Sequence, residues 1–202
     1  MSAPGDGTAK SFLLATRRVE PKLSIRAAPA LDPQAYLEAR IVNEDEAPLL
    51  PGIVSVERDG ALVGQETLAL LAPGEAKNLG FGVDDKVKIL RVPVQRKENE
   101  PSWFGQTRTE TREFKTTVKN LHDFPVTVTI VDQAPFSENA EIVVETLPQT
   151  TPPTEKQPDD KRGVMAWSFA LSAGETKELR LAYMIKWPAN REIMFESAPQ
   201  AR

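Results

Sequence analysis

The sequence predicts an all-β protein in two related halves. Three observations carry this: a segment pattern that occurs twice, period-two alternation of apolar residues along most of the chain, and the near absence of helical spacing. Asn43 is followed five residues later by Pro48 inside LEARIVNEDEAPLLPGIVSV, and Asn120 by Pro125 inside FKTTVKNLHDFPVTVTIVD. LLAPGEAKNLGFGV, from Leu70 to Val83, returns as ALSAGETKELRLAY, from Ala170 to Tyr183. The offsets are 77 residues for the first pair and 100 for the second, so the second copy has gained about two dozen residues. Self-similarity of this kind signals a repeated structural unit.

Taken in order, strands are expected near 12–18, 21–28, 36–43, 52–58, 61–68, 76–82, 86–94, 110–120, 125–132, 140–147, 164–171 and 176–187. Leu37, Ala39 and Ile41 alternate with Glu38, Arg40 and Val42. In the second copy Val126, Val128 and Ile130 alternate with Thr127, Thr129 and Val131. Leu179, Leu181, Tyr183, Ile185 and Trp187 face one way along the last strand. Such alternation with β-branched enrichment reads as half-buried antiparallel strands. Asp59-Gly60 suits a type I′ hairpin turn, because both residues tolerate positive φ. Ala72-Pro73-Gly74-Glu75 and Ser172-Ala173-Gly174-Glu175 are matching tight turns. Only Asp32-Pro33-Gln34-Ala35-Tyr36 has the capping pattern of a short helical turn.

This spacing of short strands points to two tandem antiparallel immunoglobulin-like β-sandwich units from an internal duplication. The expected organisation is a disordered start at 1–9, a first unit at 10–94, a connector at 95–109, a second unit at 110–190 and a tail at 191–202. A single merged sheet system is the alternative, since a duplicated unit can share a core with its twin. The connector is polar except for Trp103-Phe104 and reads as a linker or a long hairpin loop. The stretch 148–163 (PQTTPPTEKQPDDKRG) has no large apolar residue, so it is expected to be a mobile loop.

The totals exclude several function classes. Twenty-five bases against 29 acids give a net charge of −4 with no basic stripe, which argues against nucleic acid as a partner. No apolar run is long enough to cross a bilayer, so direct membrane insertion is not expected. With no cysteine there is no thiolate metal site and no Cys nucleophile. The single histidine, His122, leaves any triad or His-rich metal site one position to draw on. No cofactor is expected.

The assembled pieces resemble a known family, the C-terminal domain of unknown function of mucoidy-inhibitor-A-like bacterial proteins. The resemblance runs over AYLEARIVNEDEAPLLPGIVSVERDGALVGQETLALLAPGE (Ala35 to Glu75), LGFGVDDKVKI (Leu79 to Ile89), VKNLHDFPVTVTIVDQAPFSENAEIVV (Val118 to Val144) and GVMAWSFALSAGETKELRLAYMIKWP (Gly163 to Pro188). It implies a longer parent with an N-terminal β domain and a coiled-coil segment, and a periplasmic or cell-envelope location. It supplies no reaction, cofactor or catalytic residue.

Each polar cluster has a chemical reading and a plainer one. Asp84 and Asp85 could hold calcium with Glu44-Asp45-Glu46, or act as ordinary turn residues that cap the backbone. His122-Asp123 could serve a nucleophile such as Ser137 or Ser168, but neighbours on an extended chain face opposite ways. There is no G-x-S-x-G elbow. The first copy carries Asp45-Glu46 at the equivalent sites, which favours a turn that both copies need. Glu141 and Glu145 flank an apolar strand core, and nothing singles them out as a hydrolytic pair. Trp167 and Trp187 read as core, whereas Trp103 and Phe104 are either a contact site or a seal between the units. The charge run Asp159-Asp160-Lys161-Arg162 reads as a solvated face, or as a partner-binding segment in which Arg162 anchors an acidic group. The resulting expectation is a non-catalytic interaction or structural module, with an unidentified protein or envelope polymer as partner. A carboxylate-dependent hydrolase or carbohydrate-binding module acting on envelope polymer is the alternative.

Overall fold

The computed structural model of the protein describes residues 13, 16, 18–99 and 106–193. Twelve strands follow in chain order: β1 (Lys22–Ala27), β2 (Tyr36–Val42), β3 (Gly52–Arg58), β4 (Ala61–Leu68), β5 (Ala76–Val83), β6 (Val87–Asn99), β7 (Thr107–Asn120), β8 (Val126–Gln133), β9 (Val143–Thr146), β10 (Glu155–Lys156), β11 (Val164–Leu171) and β12 (Thr176–Pro188). The chain is nearly all β, as the alternation predicts, and one 3-10 turn (Pro158–Asp160) is the only helical element among the described residues. The short helical turn expected after Asp32 is absent; the Asp32 carboxylate instead accepts the Gln34 N–H at 3.0 Å and the Tyr36 hydroxyl at 2.5 Å. Among the described residues no helix is long and apolar enough to cross a membrane.

Three sheets form. A six-stranded sheet runs β10-β11-β8-β1-β2-β5, a four-stranded sheet runs β6-β7-β12-β9, and β3-β4 stands as a hairpin. The β1–β8 pairing is parallel, with Ile25 opposite Val128 and Ala27 opposite Ile130. Strands from both sequence halves therefore share one sheet. They also share one core: Ile25, Ala27 and Val87 pack in the same buried cluster as Val118, Val128, Ile130, Trp167, Leu171 and Ile185.

The ladders of the two halves run in the same register at the sequence offsets. Val42 opposite Ala76 in β2–β5 corresponds to Lys119 opposite Thr176 in β7–β12. Val56 opposite Gly64 in β3–β4 corresponds to Gln133 opposite Val164 in β8–β11. The hairpin loop that Asp59-Gly60 closes in the first half is thus the point where the second half carries its additional residues. Asp59 and Gly60 have φ values of 52° and 80°, as a type I′ turn requires.

Two expectations need correction. Much of the connector 95–109 is strand, since β6 runs to Asn99 and β7 begins at Thr107 in one long antiparallel hairpin. Its middle, 100–105, lies outside the described residues, as do 1–9 and most of the strand expected at 12–18. The Pro-rich stretch 148–163 is built into the fold instead of being loose. The Thr150 hydroxyl donates to the Ala182 carbonyl at 2.8 Å and accepts the Ala182 N–H at 3.0 Å. Thr151 N–H donates to Arg180 O, Thr154 N–H to Ala166 O, and the Trp167 indole to Thr151 O. Composition suggested mobility because the stretch buries little apolar area. Its threonines and backbone instead satisfy polar groups of β11 and β12.

Candidate functional site

Both asparagines of the repeat bracket a turn with their side chains. Asn43 Nδ2 donates to Ala47 O and Leu71 O at 3.0 Å each, and Oδ1 accepts the Asp45 N–H at 3.1 Å. Asn120 Nδ2 donates to Phe124 O (2.9 Å), Leu171 O (3.1 Å) and Ser172 O (3.0 Å), and Oδ1 accepts the His122 N–H at 2.9 Å. The backbone repeats too: Asn43 N–H donates to Glu75 O and Asn120 N–H to Glu175 O. Glu75 and Glu175 close their own turns by accepting the Ala72 and Ser172 N–H groups at 2.7 Å. In those turns Gly74 and Gly174 sit at φ 80° and 71°, where a Cβ would be strained.

The structure joins two candidates that lie 38 residues apart. Asp84 accepts the Lys86 N–H at 2.9 Å, the cap expected of a turn aspartate. Its two oxygens also stand 3.0 and 3.1 Å from His122 Nε2. His122 stacks on Phe124, with ring centroids 4.6 Å apart. Asp84 is buried and Asp85 is exposed. The histidine thus partners Asp84 across the halves, not its neighbour Asp123. The serines weighed as nucleophiles bond elsewhere, Ser137 to Asn139 and Ser168 to Thr129. Among the described residues no group of three His, Asp or Glu side chains is placed to hold a metal ion.

Buried charges that sequence reasoning passed over form a polar layer in the core. Asp132, only 4% exposed, takes Arg91 in a two-point pair at 2.7 and 3.2 Å. This pair ties the two large sheets together, and the Arg91 guanidinium lies 3.7 Å over the Phe114 ring. Glu110, 3% exposed, accepts from both Arg96 (2.9 Å) and Arg112 (2.5 Å). Burial pushes the Glu110 carboxyl up, but the two guanidiniums outweigh it and hold it below its ordinary value. Burial raises the Tyr183 phenol, against the opposing pull of Arg112 and Arg91. Glu113 receives Arg180 at 3.0 Å. A readable signal existed: Asp132 continues the inward parity of Val128 and Ile130, and Glu110 and Arg112 that of Phe114 and Val118.

Trp167 and Trp187 are buried in the core, and the Trp187 indole N–H is the buried side-chain donor without a partner among the described residues. Trp103 and Phe104 lie outside the described residues. Glu141 pairs with Arg191 at 2.9 Å on the surface, and Glu145 is exposed. Arg162 is exposed, 3.5 Å from Glu138 and 5.7 Å over the Phe136 ring.

One cleft of about 470 Å³ opens within the additional residues of the second half. It is lined by Phe136, Ile142, Val144, Lys156 and Met165 among others; among the described residues Lys156 is the only charged side chain, and no carboxylate lines it.

The family model for DUF4139, a domain of unknown function, matches residues 4–189. The chain belongs to that family. Among curated proteins, this DUF4139 chain is similar to "Protein F37C4.5" of Caenorhabditis elegans, 24% identical over 186 residues. The match covers 88% of the chain and 34% of the relative, so the chain spans about a third of that protein's length. No solved structure matches the chain.

Proposed function

We propose that this DUF4139 chain is a non-catalytic interaction or structural module, the C-terminal part of a larger protein, made of two duplicated immunoglobulin-like halves that share a core. The paired asparagine brackets carry this reading. The asparagines Asn43 and Asn120, beside the polar residues Asp45 and His122, hold equivalent turns in both halves through bonds to backbone groups. The buried carboxylates support it from another side. Asp132, Glu110 and Glu113 are each neutralised by arginine, and Asp84 is engaged by His122. None converges with a second acid in the cleft. The mucoidy-inhibitor-like resemblance and the greater length of the curated relative support a longer parent.

The test is turnover. The chain is incubated with peptidoglycan and chitin oligomers, and released reducing ends and free amines are measured. No release is expected. Release that vanishes in a folded Asp84→Asn or His122→Asn variant would sink the reading and leave a hydrolase in its place.

A further inference from the structure

The two halves keep one register but differ in one construction. Between Val56 and Gly64 the first half has a tight hairpin tip, whereas between Gln133 and Val164 the second half has β9, β10 and a 3-10 turn. Most of the cleft lining belongs to this second construction, and Val164 and Met165 of β11 complete it. It follows β9 from Ile142 to Leu147 on one side and is bounded by Lys156 of β10 on the other. Both are edge strands: β9 ends the four-stranded sheet and β10 the six-stranded one. An edge strand carries a row of unpaired N–H and C=O groups that can pair with another chain.

Three further features point to a ligand. The walls offer Phe136, Ile142, Val144 and Met165 for apolar side chains, and Phe136 stays 56% exposed. Among the described residues the Lys156 ammonium makes no hydrogen bond or ion pair, and the lining supplies no carboxylate to meet it. Beside it the backbone is held in the left-handed region at three non-glycine residues, Gln157 (φ 54°), Asp159 (55°) and Asp160 (57°). Left-handed backbone costs roughly 1–2 kcal/mol per residue and persists where the surroundings enforce it. The volume falls in the range of roughly 300–1,000 Å³ typical of ligand clefts.

We infer that this cleft is a peptide site: an extended segment of a partner protein pairs with the free edge of β9, sets apolar side chains against Phe136, Ile142 and Val144, and presents an acidic group to Lys156. The unpaired cation and acid-free lining select an anionic partner, and the sheet edge selects an extended backbone. This inference deepens the module reading and rests on it.

The test is selection of random decapeptides displayed on phage against the full chain. The expected consensus has an acidic residue flanked by alternating apolar positions. Its synthetic form should perturb the amide resonances of Val144, Thr146, Lys156 and Met165. Lys156→Glu should weaken binding at least tenfold and shift the selection toward basic peptides. N-methylation of alternate amides on the pairing side should abolish binding. No consensus, resonance changes elsewhere, an unchanged consensus with Lys156→Glu, or tolerance of N-methylation each overturns the assignment while leaving the module reading intact. Cleavage of the selected peptide would instead overturn the module reading.

Discussion

Replacing Asn120 tests the bracket directly. Its amide group donates to the carbonyls of Phe124, Leu171 and Ser172, and its oxygen accepts the His122 N–H. Asn120 is fully buried; the Ser172 carbonyl keeps the Glu175 N–H, whereas the Phe124 and Leu171 carbonyls and the His122 N–H each lose a partner when the amide is removed. A hydrogen bond contributes about 1 kcal/mol net, and a buried group left unpaired costs about 1–3 kcal/mol. Asn120→Ala should therefore destabilise the fold by roughly 3–4 kcal/mol, a large share of the roughly 5–15 kcal/mol usual for a domain. Asn43→Ala removes three hydrogen bonds, of whose partners the Leu71 carbonyl keeps the Leu49 N–H, and should cost roughly 2–3 kcal/mol. Asn120→Asp keeps the acceptor for His122 but aims a carboxylate at three carbonyl oxygens, so it should cost more than alanine. Urea unfolding followed by tryptophan fluorescence gives all three values. A loss below about 1 kcal/mol for Asn120→Ala, or an aspartate variant as stable as the parent, would refute the reasoning.

Glu110→Gln should lower stability by roughly 1.5–3 kcal/mol at neutral pH, because the carboxylate is held by two arginines. Its folded carboxyl sits below the ordinary value, so its contribution is complete above roughly pH 5 and fades as pH falls through the folded value. Melting temperatures of parent and variant should accordingly converge as pH falls below the ordinary carboxylate range, and a gap that widens in acid would contradict the pairing. Gly163→Ala should cost roughly 2–5 kcal/mol, since φ is +76° and a Cβ would stand 2.3 Å from Ala134 O. A thermal melt unchanged in that variant would refute the close approach. Thr150→Val should cost roughly 1–3 kcal/mol by leaving the Ala182 N–H unpaired, while the Ala182 carbonyl keeps the Leu147 N–H; a loss below about 0.5 kcal/mol would mean that 148–163 is loose after all.

Strand identity was legible because each strand carries its own signal in local alternation and in turn residues such as Asp59-Gly60. The turns at Gly74 and Gly174 were legible for the same reason. What joins strands was not. No local pattern in Lys-Leu-Ser-Ile-Arg-Ala says that β1 lies parallel to β8, about a hundred residues away. The His122–Asp84 contact was hidden similarly, since each residue alone reads as turn chemistry. The inward charges were legible in principle, from the parity of Asp132 and Glu110, but their partners lie on other strands. β10 escaped because two residues cannot display a period.

The same register produces two different outcomes, and a single residue supplies a reason. β1 and β6 pair alike with the strands that follow: Ile25 lies opposite Leu37, and Pro93 lies opposite Phe114, the residue 77 positions on from Leu37. On its other side β1 accepts β8 in parallel, starting at Ile25. The position that matches Ile25 in β6 is Pro93, which has no N–H, and the β6–β7 ladder is irregular between Pro93 and Gln95. That edge is a poor host for β3, the counterpart of β8, and β3 pairs only with β4. The hairpin instead caps the edge of β5, where Glu66 accepts the Gly80 N–H at 2.7 Å and Arg58 donates to the Phe81 and Val83 carbonyls at 3.3 Å. Ile53 consequently stays 76% exposed while its counterpart Ile130 is fully buried. Charged side chains that occupy an edge strand's backbone groups also deny that edge to other chains. The first half thus closes the β5 edge with its own hairpin, whereas in the second half the β9 and β10 edges frame the cleft.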